Sequence, residues 1–326
     1  MTEQEWLSSK DPQAMLKAVS EKISDRKLRL FACGCVRQVW HLLADERSCN
    51  AVEVAEKFSD GLATDSERAA ARAAAWKAAG GAAWTATGDA AWEAAWAAWD
   101  AAWTATGDAS WEAARAGRDA ARAAARAGRD EAWDTQARLL RDIVGNPFRQ
   151  HHPPEGSRTC DRCDGFKWVT RGGRVACPDC RGTGRSPCPW LTPTVLSLAH
   201  SAYEHRDPAT GHLDPVRLAI LADALEEAGC PQEVDCRHCD GEGDVKHEDD
   251  YGFFRVSCLP CGGDGKMTWR DGGRRGPPVT EDGRKGTGRV PNPILAHLRG
   301  RPCPCSFPHP PHVRGCWAID LILGKE

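Results

Sequence analysis

Four short stretches carry the residues best suited to chemistry. They are Cys160-Asp161-Arg162-Cys163-Asp164-Gly165, Cys177-Pro178-Asp179-Cys180-Arg181-Gly182-Thr183-Gly184, Cys236-Arg237-His238-Cys239-Asp240-Gly241-Glu242-Gly243 and Cys258-Leu259-Pro260-Cys261-Gly262-Gly263-Asp264-Gly265. Two residues between cysteines form a tight turn that aims both sulfurs at one point, where a tetrahedral zinc ion takes thiolates at about 2.3 Å. The glycines admit positive φ, so nearby amides can turn toward the thiolate charge. Two such knuckles complete a four-thiolate site. Thirteen residues separate Cys163 from Cys177 and eighteen separate Cys239 from Cys258, intervals that straddle the lower edge of the window used by such sites.

The chain between the knuckles must position them. Lys167 to Val175 and Asp244 to Ser257 both read as strand, turn, strand, which predicts a β-hairpin in each interval. Pairing of neighbours assigns one zinc to Cys160, Cys163, Cys177 and Cys180, and a second to Cys236, Cys239, Cys258 and Cys261. A nested pairing, outer with outer and inner with inner, satisfies the same ligand count. With four thiolates no position remains for activated water, so the role is structural. Each hairpin is too small to build a core, and apparent binding energies of about 10–16 kcal/mol in small zinc peptides show what the metal can supply.

The repeated unit resembles the cysteine-rich zinc-finger region of the DnaJ co-chaperones over residues 158–185 and 234–267. That resemblance implies two zinc ions and contact with unfolded polypeptide. The chain departs from the family at Lys167, which replaces the last glycine of the first unit, and in the fifty-five residues between Cys180 and Cys236. It has no His-Pro-Asp tripeptide, so stimulation of a heat-shock ATPase is not implied.

The remaining chain predicts a mainly α-helical scaffold. Ser24 to Leu43 carries Leu28, Phe31, Cys35, Val39 and Leu42 at helical steps, with Cys33 and Cys35 read as packing. Ser48 to Phe58 is a second helix ending near Gly61. From Thr64 to Ile143 the chain is dominated by Ala, Trp, Arg and Asp, and Ala82–Ala95 recurs almost unchanged at Ala101–Ala114. Thr64-Asp65-Ser66-Glu67 reads as a capping box, with breaks expected at Gly80-Gly81 and at the two Thr-Gly-Asp sites. Trp92, Trp96, Trp99 and Trp103 share one stripe, continued in phase by Arg115, Arg118, Arg122, Arg126 and Arg129. A reversal near Gly107 would face the two stripes; alternatively the tryptophans fill a core and the arginines form a solvated face with Asp119 and Asp130. Helices also follow Thr192-Pro193 and Asp214-Pro215, Gly272 to Pro293 reads as a linker, and two short apolar elements close the core after Ile294.

These features divide the chain into residues 1–63, the repeat helices 64–149, a zinc hairpin insertion at 150–189, a helical segment 190–230, a second insertion with its linker at 231–293, and a closing segment 294–326. The helical parts Ser24 to Leu43, Trp190 to Gly229 and His312 to Lys325 resemble an uncharacterised family of planctomycete proteins. In that resemblance the chain runs directly from Phe148 toward Trp190 and from Gly229 toward Ile294, with the zinc hairpins grown out of loops.

Composition narrows the function. A formal charge of −3 over 326 residues gives no bulk attraction for nucleic acid. Sixteen cysteines with no signal-like start point to a reducing cytoplasm, and no apolar run is long enough for a bilayer. Phosphate-loop, nucleophile-elbow and His-Glu-x-x-His patterns are absent from the sequence. The expectation is a non-enzymatic binding or scaffold protein. A polypeptide partner would meet Trp168, Phe253, Phe254 and Trp269; RNA, the less favoured partner, would add Arg171, Arg174, Arg270, Arg274 and Arg275. Cys236 and Cys239 could instead serve as the nucleophilic and resolving thiols of an oxidoreductase. Cys303, Cys305, His309 and His312 could form a third metal site with Cys188 or Cys316, whereas His41, His200 and His297 read as surface or packed residues.

Overall fold

Capping chemistry sets where the helices begin. In the computed structural model, which describes residues 1–82, 89–103, 109–126, 131–148, 168–170, 174–176, 189–208, 210–235, 242–249, 252–257, 267–270, 279–280, 287, 289–300 and 312–325, mainly helical structure follows these signals. The N-terminal helices are α1 (Glu3–Ser8), α2 (Pro12–Val19), α3 (Asp25–Arg37), α4 (Glu46–Ser59), α5 (Asp65–Ala82), α6 (Asp89–Trp103), α7 (Ala109–Arg126) and α8 (Ala132–Val144). The Thr64 box forms as expected: Glu67 N–H donates to Thr64 Oγ1 at 3.2 Å and Thr64 N–H to Glu67 Oε2 at 2.7 Å. One helix end differs from expectation: α3 stops at Arg37 and passes into a 3₁₀ turn at Trp40–Leu42. α5 ends at Ala82, one residue past Gly80-Gly81, where two weak helix formers favour a break.

The repeat helices pack through alanine. Ala94, Ala97, Ala98, Ala101 and Ala102 of α6 and Ala113, Ala116, Ala120, Ala123 and Ala124 of α7 are all buried. Arg115 Nε lies 3.1 Å from Asp100 Oδ2, and Arg126 reaches Glu93 Oε1 at 3.0 Å, so the two helices run antiparallel, as a reversal near Gly107 requires. Arg115 also sits over the Trp99 ring, 5.5 Å from its centroid. That contact is of the kind a tryptophan stripe facing an arginine stripe would make; Trp96 and Trp99 also pack on Trp76 of α5, at 4.9 and 5.0 Å, and Arg122 pairs with Asp119 as the solvated arginine face would. Small side chains let α6 and α7 approach, which pushes the indoles to the rim of the interface.

That interface also buries Glu93, Asp100 and Glu112. Burial pushes the Asp100 carboxyl up to about 7; Arg115 opposes this, and the acids Asp119 and Glu112 add to it.

A second core is built by α9 (Pro193–Glu204), α10 (Pro215–Glu227), α11 (Pro293–Leu298) and α12 (Trp317–Leu323), around Trp190, Tyr203, Leu218, Leu221, Leu225 and Ile319. Thr192 caps α9 and Asp214 caps α10, each followed by proline, and Gly229 at φ 94° ends the latter turn. The strands belong to the insertions. β1 (Trp168–Thr170) and β2 (Arg174–Ala176) form one antiparallel hairpin. β4 (Asp244–Asp249), β5 (Gly252–Ser257), β6 (Met267–Arg270) and β7 (Val279–Thr280) form a sheet in that order. β3 (Glu233–Asp235) pairs with β8 (Arg289–Pro291) through Val234 and Val290. The linker expected from Gly272 to Pro293 therefore contains two strands, and its end is held firmly. Asn292 donates to Gln232 and Pro231 carbonyls, both at 2.8 Å, while its side chain caps α11.

Buried ion pairs join the two cores. Arg26 of α3 bridges Asp60 at 2.9 Å and Asp320 of α12 at 2.7 Å, Arg314 and Lys325 also reach Asp60, and Tyr203 donates to Asp320 at 2.7 Å. Glu56 is shared by Arg37, at 2.6 Å, and Arg206. The Asp60 carboxylate has no solvent exposure, so Asp60→Asn strips the partner of three cations. We expect a loss of about 3–5 kcal/mol in chemical denaturation; a loss under about 1 kcal/mol contradicts the account.

Asp100 gives the opposite sign. Its folded pKa lies above its ordinary value, so its ionised form opposes folding above pH 7, and stability returns as pH falls from about 7 toward 4. Asp100→Asn should therefore be more stable than wild type at pH 8, with the advantage shrinking by pH 5. Its ceiling is about 4 kcal/mol, from 1.36 kcal/mol per pH unit, less whatever the Arg115 pair contributes. Equal variant-minus-wild-type differences at the two pH values would rule this out.

Candidate metal centre

An aspartate near the end of a helix meets the unfavourable end of the helix dipole and needs cationic or hydrogen-bonding partners. Asp142 stands in this position, in the last turn of α8, among buried Leu139, Leu140 and Ile143. Its partners come from sequence far away. α11 delivers His297, whose Nε2 is 3.1 Å from Asp142 Oδ1. The turn before α12 delivers His312, whose Nδ1 is 2.6 Å from the same oxygen. Cys316, the residue preceding α12, places Sγ 3.2 Å from His297 Nε2 and 3.9 Å from His312 Nδ1. Val313 N–H donates to Asp142 Oδ2 at 3.0 Å, which fixes the carboxylate plane.

All four side chains are buried, and their four donor atoms lie within 4.8 Å of one another, so the group could hold a metal ion. The surroundings are aromatic and apolar: the His297 ring stands 4.4 Å from that of His312 and 4.9 Å from that of Trp317. Burial works against the Asp142 charge, but His312 and the hydrogen bonds of both histidines hold its carboxyl well below the usual carboxylate range. Burial also opposes a charged His312, yet Asp142 raises it above its ordinary value. The Cys316 thiol is pushed well up by burial, with the Asp142 charge adding to the effect.

The residues singled out in the sequence fall differently. Cys160, Cys163, Cys177, Cys180, Cys236, Cys239, Cys258 and Cys261 lie outside the described residues, as do Arg171, Arg274, Arg275, Cys188, Cys303, Cys305 and His309. Trp168 and Arg174 are on β1 and β2, paired with Ala176 and Thr170. Phe253 and Phe254 are on β5, opposite Glu248 and His247; Trp269 and Arg270 on β6 pair with Arg255 and Phe254. Cys33 and Cys35 are buried in the first core, and burial raises both thiols, in keeping with a packing role. His41 and His200 are exposed. His297 is packed as expected, but among ligand-type side chains. For His312 and Cys316 the described partners are Asp142 and His297, contributed by two helices.

Asp142 escaped the reading because nothing in local sequence marks it except its place on an apolar helix face. The available signal was His312-x-x-x-Cys316, which sets two ligand types four residues apart. Among the described residues no helix is long and apolar enough to cross a membrane. Compared with protein-family models, with curated proteins and with solved structures, the chain matches none.

Proposed function

We propose that this chain is a non-enzymatic zinc-binding scaffold of the cytoplasm whose two hairpin arms present a binding surface to polypeptide. One observation carries the reading: an antiparallel hairpin occupies each interval between successive Cys-x-x-Cys units. β1 and β2 lie between Cys163 and Cys177, and β4 and β5 between Cys239 and Cys258. In the second arm the ladder pairs Asp244 with Ser257, the residue before Cys258. Such pairing brings Asp244 and Ser257 together at one end of the ladder, next in sequence to Cys-x-x-Cys units, as neighbour-with-neighbour zinc ligation needs. The two hairpins belong to separate sheets, which favours local over nested pairing.

One structural zinc is assigned to Cys160, Cys163, Cys177 and Cys180, and another to Cys236, Cys239, Cys258 and Cys261. The likeness of these units to the DnaJ cysteine-rich region supports polypeptide as the partner, with Trp168, Phe253, Phe254 and Trp269 as apolar contacts. RNA is disfavoured by the net charge, and Arg255 in the second arm is already paired with Asp244 and Glu242. An oxidoreductase pair normally opens a helix, which lowers one thiol pKa, whereas the described elements next to these pairs in sequence are strands.

The test combines zinc content, thiol titration and probe binding on the full chain. Chelation should release eight knuckle thiols together with the two zinc ions they hold. Cys177→Ser and Cys258→Ser should each unfold one arm and lower the zinc content by one ion, with the far-ultraviolet helical signal kept. A reduced, carboxymethylated polypeptide probe should bind with little salt dependence, whereas an RNA probe that weakens steeply with salt would favour the nucleic-acid reading. Unchanged zinc in both serine variants overturns the assignment.

A further inference from the structure

The geometry points to a third metal site, distinct from both arms: Asp142, His297, His312 and Cys316 bind one structural zinc ion inside the helical body. Here Asp142 Oδ1 faces the ring nitrogens of both histidines, and His297 Nε2 faces both that oxygen, at 3.1 Å, and Cys316 Sγ, at 3.2 Å. All four donor atoms lie within 4.8 Å of one another.

The spacing suits a small tetrahedral ion. Ligands held at about 2.0–2.3 Å stand roughly 3.3–3.8 Å apart around a tetrahedron. The contacts of 3.1, 3.2 and 3.9 Å lie near that range, and the 2.6 Å contact of His312 with Asp142 must open by about 0.7 Å as the ion enters. His297 binds through Nε2 and His312 through Nδ1, each as the neutral imidazole. The Cys316 thiol loses its proton to solvent and binds as thiolate. Asp142 and Cys316 then balance the two positive charges of the ion, so the buried site is neutral overall, which a dry interior requires.

Ligand chemistry narrows the metal. One thiolate and two imidazoles exclude magnesium and calcium, which take oxygen ligands, and four mixed N, O and S donors suit zinc. Two of the four ligands also have outer-shell support. Val313 N–H orients the Asp142 carboxylate at 3.0 Å, and His312 makes a further hydrogen bond to the backbone of His297, the support that metal-bound imidazoles usually have. With four protein ligands there is no open position, so the ion fastens α8, α11 and the start of α12 together.

The experiment uses the full chain purified without added metal. Metal analysis and zinc-edge X-ray absorption are measured on wild type, on Cys316→Ala/His312→Ala, and on a variant with all eight knuckle cysteines changed to serine. Three zinc ions per wild-type chain, with nitrogen or oxygen ligands besides sulfur, are expected. The body variant should bind one ion fewer, and the eight-serine variant should retain one ion. If the arm assignment alone is wrong, wild type carries one ion in mixed coordination and the eight-serine change leaves it in place. Sulfur-only zinc in wild type, or an eight-serine chain that keeps its helical signal without zinc, overturns the proposal; the wild-type spectrum decides the matter even where a variant fails to fold.

Discussion

Three carboxylates buried in the first helical body constrain everything that packs on it. Glu56 and Asp60 close α4, and Asp142 closes α8, so each sits where the helix dipole already disfavours an anion. Their side chains are almost wholly removed from water. Burying an unpaired carboxylate costs several kcal/mol, so these positions are tolerable only when their partners are docked. The partners come largely from the other core: Arg206 for Glu56, Arg314 and Lys325 for Asp60, and His297 and His312 for Asp142. Two hydrophobic cores that could have packed loosely are therefore held in one register by polar geometry. Apolar area supplies cohesion within each core, and the charged groups supply the specificity between them.

The repeat helices follow a different rule. Alanine buries little area per residue, so a helix pair lined with it gains from close approach and low side-chain entropy cost more than from large apolar volume. Close approach buries Glu93, Asp100 and Glu112, and Arg115 and Arg126 on α7 reach inward to two of them. Arg115 and Arg126 do so at the cost of partial exposure, which explains why Asp100 is only partly compensated while Glu56 and Asp60 are well compensated.

Local chemistry was legible in the sequence where it acts over a few residues. The Thr64 capping box, the Thr192-Pro193 and Asp214-Pro215 starts, the Gly229 stop and the hairpins between knuckles all depend on neighbours within a handful of positions. The Gly80-Gly81 pair likewise lies at the end of α5, which stops at Ala82. Residues 272–293 misled because glycine, arginine and proline content describes the middle of that segment, whereas Arg289 to Asn292 is fixed by β3 and by Pro231. The Asp142 centre was least legible. Its contacts span 155 and 170 residues of sequence, and each ligand taken singly is an ordinary residue for its element. Only the fold brings them together.

The second insertion shows how a helical body can carry a long excursion without losing its own order. Because β3 and β8 pair and Asn292 ties back to Gln232 and Pro231, the chain leaves and re-enters the body at one point. α10 and α11 then pack as if joined by a short turn, and the closure entropy of the intervening residues grows only slowly with their number. The arm beyond that ladder must supply its own stability. A metal in such an arm would stabilise the arm alone, since its ligands lie beyond the β3–β8 ladder. A metal at Asp142, His297, His312 and Cys316 would act on the body itself, since its ligands come from elements of both cores. The same ion would thus have separable effects at the two kinds of site, set by topology alone.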